Sequence, residues 1–223
     1  MTVWIEKAPY THKRTKLIVE YFSEILNQIP AKCWVAGGAI VSSFMETPIK
    51  DIDLYFPNKE NWELAKDFLL SLNTEATYEG ENSFKIKLGK PNEVHYRDRD
   101  KSIFFGNAFD LVSNFRKTPS STIKSFDIIA CCMAIDADKT FYYVDGAIND
   151  IENKIIRYND THDIIGPEER FMQRINKYGR KGFELSGREA TKFLKAMNKA
   201  KKKNTIFGFK LPYKTNQNWL DSI

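Results

Sequence analysis

The stretch "VAGGAIVSSFMETPIKDIDLYF", residues 35–56, joins a Gly-Gly pair to two aspartates separated by one residue. "CWVAGG" predicts a short apolar strand that stops at the turn Gly37-Gly38, and "AIVSSFM" predicts a short helix. Pro48 closes that unit, and "KDIDLYF" reads as a second strand by its alternation. In such a strand Asp51, Asp53 and Tyr55 share one face, and Ile52, Leu54 and Phe56 share the other. The apolar face can pack against helices while both carboxylates point into a cleft. Two like charges so close repel, unless they are exposed or a divalent cation lies between them. Mg²⁺ prefers a few carboxylates together with substrate phosphates. Gly37 and Gly38 let the backbone turn sharply and approach a ligand, and their amides precede a helix N-terminus, which attracts phosphate. Either half alone reads as a plain turn or a solvated strand end. Together, in the order strand, turn, helix, strand, they predict a triphosphate with its tail on the glycines and its α-phosphate at the metals.

Outward from this stretch, Lys13–Ile29 carries apolar residues at spacings of 3 and 4 and predicts an amphipathic helix ended by Pro30. Residues 61–72 predict another. "SFKIKL", "SIFF" and "AFDLVSNF" predict strands continuing the sheet. "SFDIIACCMAID" and "FYYVD" are apolar segments, either buried strands or a helix followed by a strand. Beyond about residue 150 a helix is predicted between Pro167 and Gly182. Ser186 and Glu189 stand in capping-box spacing at the start of a further basic helix. The expectation is an α/β (α+β) domain over residues 1–150, a mixed sheet flanked by helices, and a short basic helical region over residues 151–223.

The opening stretch resembles the head domain of the tRNA nucleotidyltransferase / poly(A) polymerase family, of the DNA polymerase beta-like superfamily. That family shows a Gly-Gly, a short helix, then Asp-x-Asp-Leu, with a proline nearby; here these are Gly37, Gly38, Pro48, Asp51, Asp53 and Leu54. "AFDLVSNFR" is similar to the later strand with an acidic residue followed by an arginine, which implies Asp110 as third carboxylate and Arg116 as a nucleotide contact. "SFDIIACCMAID" resembles the family's Asp-Phe-Thr-Ile-Asn-Ala segment and places Asp127 at its aspartate. "VDGAINDIENKIIR", with Asp145, Gly146, Asp150 and Arg157, is similar to the segment closing the head. "PEERFMQRINKYGRKGF" looks like the start of the neck helix that reads the incoming base, which implies Glu169, Arg170 and Arg174 as nucleotide contacts. Val41-Ser42 stand where the family has Arg-Asp, Ser125-Phe126 where it has two arginines, and Cys131 where it has Asn. The family's long body and tail domains have no counterpart in this sequence.

The resemblance implies transfer of a nucleoside monophosphate from an NTP to an acceptor hydroxyl, an RNA 3′ end in the family. Mg²⁺ or Mn²⁺ would be held by Asp51, Asp53 and Asp110. The competing class is a degenerate nucleotidyltransferase fold that binds RNA or a protein; a further alternative is an effector modifying another acceptor.

Composition fits these readings. Hydrophobic residues make up 42% of the 223, enough for a core, and the net charge of +5 permits a polyanionic partner without requiring one. No apolar run approaches the length of a membrane span. Cys33, Cys131 and Cys132 form no disulfide framework, and no secretory leader is evident, so a cytoplasmic location is expected. Lys192, Lys195, Lys199, Lys201, Lys202, Lys203 and Lys210 read either as a solvated face or as an RNA phosphate track, with Phe207, Phe209 and Tyr213 available for stacking.

Overall fold

In the computed structural model, residues 2–7, 12–72, 74–80, 82–89, 107–159 and 168–195 are described, with the backbone alone for residues 168–170. The strands are β1 (Val3–Glu6), β2 (Trp34–Ala36), β3 (Ile52–Tyr55), β4 (Thr74–Glu79), β5 (Ser83–Leu88), β6 (Ala108–Val112), β7 (Met133–Asp136), β8 (Phe141–Val144), β9 (Ile155–Ile156) and β10 (Glu184–Leu185). The helices are α1 (Lys13–Gln28), α2 (Gly38–Phe44), α3 (Lys59–Leu70), α4 (Pro119–Lys124), α5 (Ala147–Glu152) and α6 (Glu168–Gly179), and residues 187–195 are helical as well. Eight strands form one mixed sheet in the order β1-β8-β7-β2-β3-β6-β5-β4; β9 and β10 pair separately. Among the described strands of the large sheet, only β3 and β6 run parallel. The predicted α/β class, a mixed sheet flanked by helices, is the observed one.

The central strands are short and apolar because helices cover them. All of β2 is buried, and β3 alternates as its sequence demands, with Ile52 and Leu54 fully buried. Helix α1 buries Ile18, Val19, Phe22, Ile25 and Leu26 along one stripe. Each such fully buried side chain contributes roughly 1.5–3 kcal/mol of transfer free energy. Two tryptophans pair their indole N–H groups on burial: Trp34 donates to Thr122 Oγ1 at 3.0 Å and Trp62 to the Leu111 carbonyl at 3.0 Å.

Several elements escape the sequence pattern for identifiable reasons. Strand β4 is exposed along most of its length, so it carries no apolar alternation. Among the described strands, β1 is a short edge paired to β8. Helix α4 is six residues set by a Thr118–Ser121 capping box with Pro119 at its start. Helix α3 begins at Lys59 because the Asn58 side chain accepts from the Asn61 N–H at 3.0 Å. The "SFDIIACCMAID" segment resolves into a 3₁₀ turn over Ile129–Cys131 followed by β7. The predicted strand "SIFF" lies outside the described residues. The Ser186–Glu189 capping box is half made: Ser186 Oγ accepts from the Glu189 N–H at 3.3 Å, but the Glu189 carboxylate accepts from the Tyr158 N–H at 3.1 Å. Tertiary packing takes that carboxylate because the Tyr158 amide is buried and needs a partner. Among the described residues no helix is long and apolar enough to cross a membrane.

Candidate active site

The parallel pairing of β3 and β6 sets Asp53 directly opposite Asp110, with Ile52 opposite Phe109 and Leu54 opposite Leu111. The apolar partners fill the core, so the aspartates emerge together on the other face. Asp51, just before β3, joins them: ligand oxygens of Asp51, Asp53 and Asp110 all lie within 4.8 Å of one another. Burial, then the charges of Asp51 and Asp110, push the Asp53 carboxyl up to about 7. Asp110 is 9% exposed, and its Oδ1 is buried with no hydrogen-bond partner.

One cation already meets this cluster. Lys85, on β5 and in register with Asp110, places its Nζ 3.1 Å from Asp51 Oδ2 and 3.1 Å from Asp110 Oδ2. Burial works against its charge, but the hydrogen bonds to Asp51 and Asp110 prevail and raise its pKa to about 12. Lys85 was not among the residues singled out from the sequence. Its signal was there: in "SFKIKL" the buried Phe84, Ile86 and Leu88 force Lys85 onto the opposite face.

Beyond β2 the chain turns at Gly37, whose φ of +81° suits glycine, and enters α2. The Gly37 N–H donates to the Met133 carbonyl at 3.1 Å. That amide belongs to the sheet, which corrects the expectation that both glycines offer amides to phosphate. A Cβ on Gly37 would touch the Phe126 ring at 3.4 Å, whereas beside Gly38 there is open space.

Basic groups converge here from α6 and its following turn. Lys181 donates to Ser42 Oγ of α2 at 3.1 Å. Its ammonium pKa is lowered by burial first and then by Lys177, with Lys50 contributing; Lys177 also acts electrostatically on Asp53. Lysines at 50, 177 and 181 were likewise missed, because two of them come from more than 120 residues along the chain from the motif they approach.

The remaining predicted positions divide. Arg174 of α6 pairs with Asp127 at 2.6 Å, so two groups expected to contact nucleotide also bind each other and tie α6 to the bend between α4 and the 3₁₀ turn. Arg116 lies past β6, its N–H donating to the Phe56 carbonyl at 3.0 Å; no described contact joins its side chain to the aspartates. Glu169 and Arg170 open α6, and their side chains lie outside the described residues. Of the cysteines, Cys131 donates to the Tyr178 hydroxyl at 2.9 Å and Cys132 is buried.

Three hard carboxylate donors, one with a buried oxygen that lacks a partner, fit a divalent ion of the Mg²⁺ or Mn²⁺ kind.

Among known families, residues 12–154 match the one described as Gad2, Gabija anti-defense 2 family protein. The chain belongs to the Gabija anti-defense 2 family. No curated protein matches it by sequence. Among solved structures, it is similar to a tRNA-processing enzyme (apo form I), with 17% identity, 86% of this chain and 49% of that one covered, and a TM-score of 0.56. It is similar to a CCA-adding enzyme in complex with CTP, with 16% identity, 86% and 48% coverage and a TM-score of 0.57. It is also similar to the Thermotoga maritima CCA-adding enzyme complexed with tRNA, with 15% identity, 89% and 47% coverage and a TM-score of 0.54. The chain spans about half the length of these structures. At such identity the likeness shows the fold: this anti-defense family member has a nucleotidyltransferase-type fold.

Proposed function

We propose that the chain is a divalent-metal-dependent nucleotidyltransferase that moves a nucleoside monophosphate from an NTP to an acceptor hydroxyl, and that this transfer acts against the Gabija defence. The observation that carries the reading is the convergence of Asp51, Asp53 and Asp110 within 4.8 Å, one of them with an unpartnered buried oxygen. The CTP and tRNA complexes of its structural neighbours support NTP and RNA as partners.

Residues 1–150 would carry the carboxylates, and residues 151–223 would bring basic groups over them. A bound divalent ion would supply Lewis-acid stabilisation of the in-line displacement. Asp51 and Asp53 would hold it against the α-phosphate, and Asp110 would lie nearest the acceptor hydroxyl. The open side of Gly38, with Lys50, Lys177 and Lys181, would take the β- and γ-phosphates. Those three ammonium groups have no carboxylate partner among the described salt bridges. An anionic ligand would relieve their mutual repulsion.

The test is incubation with each α-labelled NTP, Mg²⁺ or Mn²⁺, total RNA and the purified defence proteins, with Asp51→Asn/Asp53→Asn as control. Label should appear on one acceptor and vanish in the control. No label on RNA, protein or free nucleotide would overturn the reading. One observation favours a second reading, a non-catalytic binder: Arg174 and Asp127 neutralise each other's charge. Equal protection against the defence by wild type and the double Asn variant would select it.

A further inference from the structure

Lys85 has a position that chain geometry imposes. It sits in the middle of β5, opposite Asp110 across an antiparallel ladder, and its neighbours Phe84 and Ile86 are buried on the other face. Its Nζ lies 3.1 Å from one oxygen of each of Asp51 and Asp110. A divalent ion bound to those same two oxygens would need bonds of roughly 2.0–2.1 Å. Such an ion would crowd the ammonium, so the two compete for these oxygens. The next lysine on the strand, Lys87, is turned to a different partner, Glu75 at 2.8 Å, so the contact at Lys85 is not a general property of the strand.

Charge agrees with geometry. The ionised triad carries three negative charges. With Lys85 its net charge is −2, which one divalent ion balances. Lys85 does not exhaust the site, because Asp110 Oδ1 stays buried without a hydrogen-bond partner.

We propose that Lys85 is a built-in cation that fills one of the two cation positions of the carboxylate site, so that the site takes one divalent ion where a two-metal centre would take two. This rests on the nucleotidyltransferase reading and deepens it. Lys85 is then a positioning residue: it holds Asp51 and Asp110 apart from each other's charge and supplies fixed positive charge on the acceptor side of the reacting phosphorus.

The experiment counts Mn²⁺ on the full chain, by electron paramagnetic resonance and calorimetry, with and without a non-hydrolysable NTP analogue. Wild type is compared with Lys85→Met, which keeps the stem and removes the charge, and with Lys85→Arg, which restores it. Wild type and Lys85→Arg should bind one ion per chain in the ternary complex. Lys85→Met should bind two, and its first ion should bind at least about tenfold more tightly, because a positive charge has left the site. In the metal-free state Lys85→Met should melt lower than wild type, and Mn²⁺ should raise its melting temperature more. Two ions in wild type, or identical ion number and affinity in Lys85→Met, overturns this inference and leaves the nucleotidyltransferase reading standing. No Mn²⁺ on any of the three proteins overturns both.

Discussion

Asp53 of β3 and Asp110 of β6 are register partners across a parallel pairing of the large sheet. Neighbours on adjacent strands sit only about 5 Å apart, so this pairing is costly unless a cation offsets it. The pairing also makes the site sensitive to any shift of β6, since a slip by one residue would turn Asp110 into the core.

The first prediction concerns pH. The folded Asp53 carboxyl titrates near 7, above its unfolded value of 3.8. The folded state thus binds more protons than the unfolded state between about pH 4 and 7, and stability from this group falls as pH rises through that window. The penalty is absent below about pH 4 and complete above about pH 7. Asp53→Asn should therefore gain on the order of a few kcal/mol over wild type at pH 8 in a chelator, and almost nothing at pH 4. Denaturant melts at both pH values check this; an equal gain at both would contradict it.

A second prediction concerns the ion. Millimolar Mn²⁺ should raise the melting temperature of wild type, by about 2.7 kcal/mol of stability at a hundredfold excess over the dissociation constant. Asp51→Asn/Asp53→Asn should stay folded and show no such rise in a thermal-shift titration.

Asp110 gives a third. Asp110→Ala should keep near-normal NTP affinity and lose transfer by about a hundredfold or more, since its place is at the acceptor rather than the nucleotide. Single-turnover kinetics beside equilibrium NTP binding separate the two. Full activity in Asp110→Ala would leave a two-aspartate site.

Lys181 should behave in the opposite way. Lys181→Ala should weaken NTP binding about tenfold, the loss of one charge-assisted contact, with Mn²⁺ affinity unchanged. Unaltered NTP affinity would return Lys181 to a purely structural bond with Ser42.

A fifth prediction is structural. Gly146 has φ +78°, and a Cβ there would collide with the Arg157 guanidinium, which is held by the buried Asp150 through bonds of 2.7 and 2.8 Å. Gly146→Ala should destabilise by about 1–3 kcal/mol. Asp150→Ala, which removes the carboxylate from a guanidinium that is 38% exposed, should cost about 1.5–3 kcal/mol. Urea melts rank the two.

The sequence by itself determined the local parts of this protein. The 3–4 spacing in residues 13–29 yields α1, the Gly37-Gly38 break yields the β2–α2 turn, and the alternation of residues 51–56 yields β3 with its aspartates on one face. These follow from periodicity and backbone stereochemistry, which need no knowledge of neighbours. The family resemblance pointed to Asp110 as third carboxylate, but tertiary structure decided how it meets the others and which cations join them. Asp110 reaches Asp53 through a strand pairing 57 residues apart in sequence, Lys85 reaches both sides of the cluster from a third strand, and Lys181 comes from beyond α6. It also locked Arg174 onto Asp127. Those partners are chosen by burial and charge after the sheet has closed, and a one-dimensional pattern carries no record of which charge will be nearest.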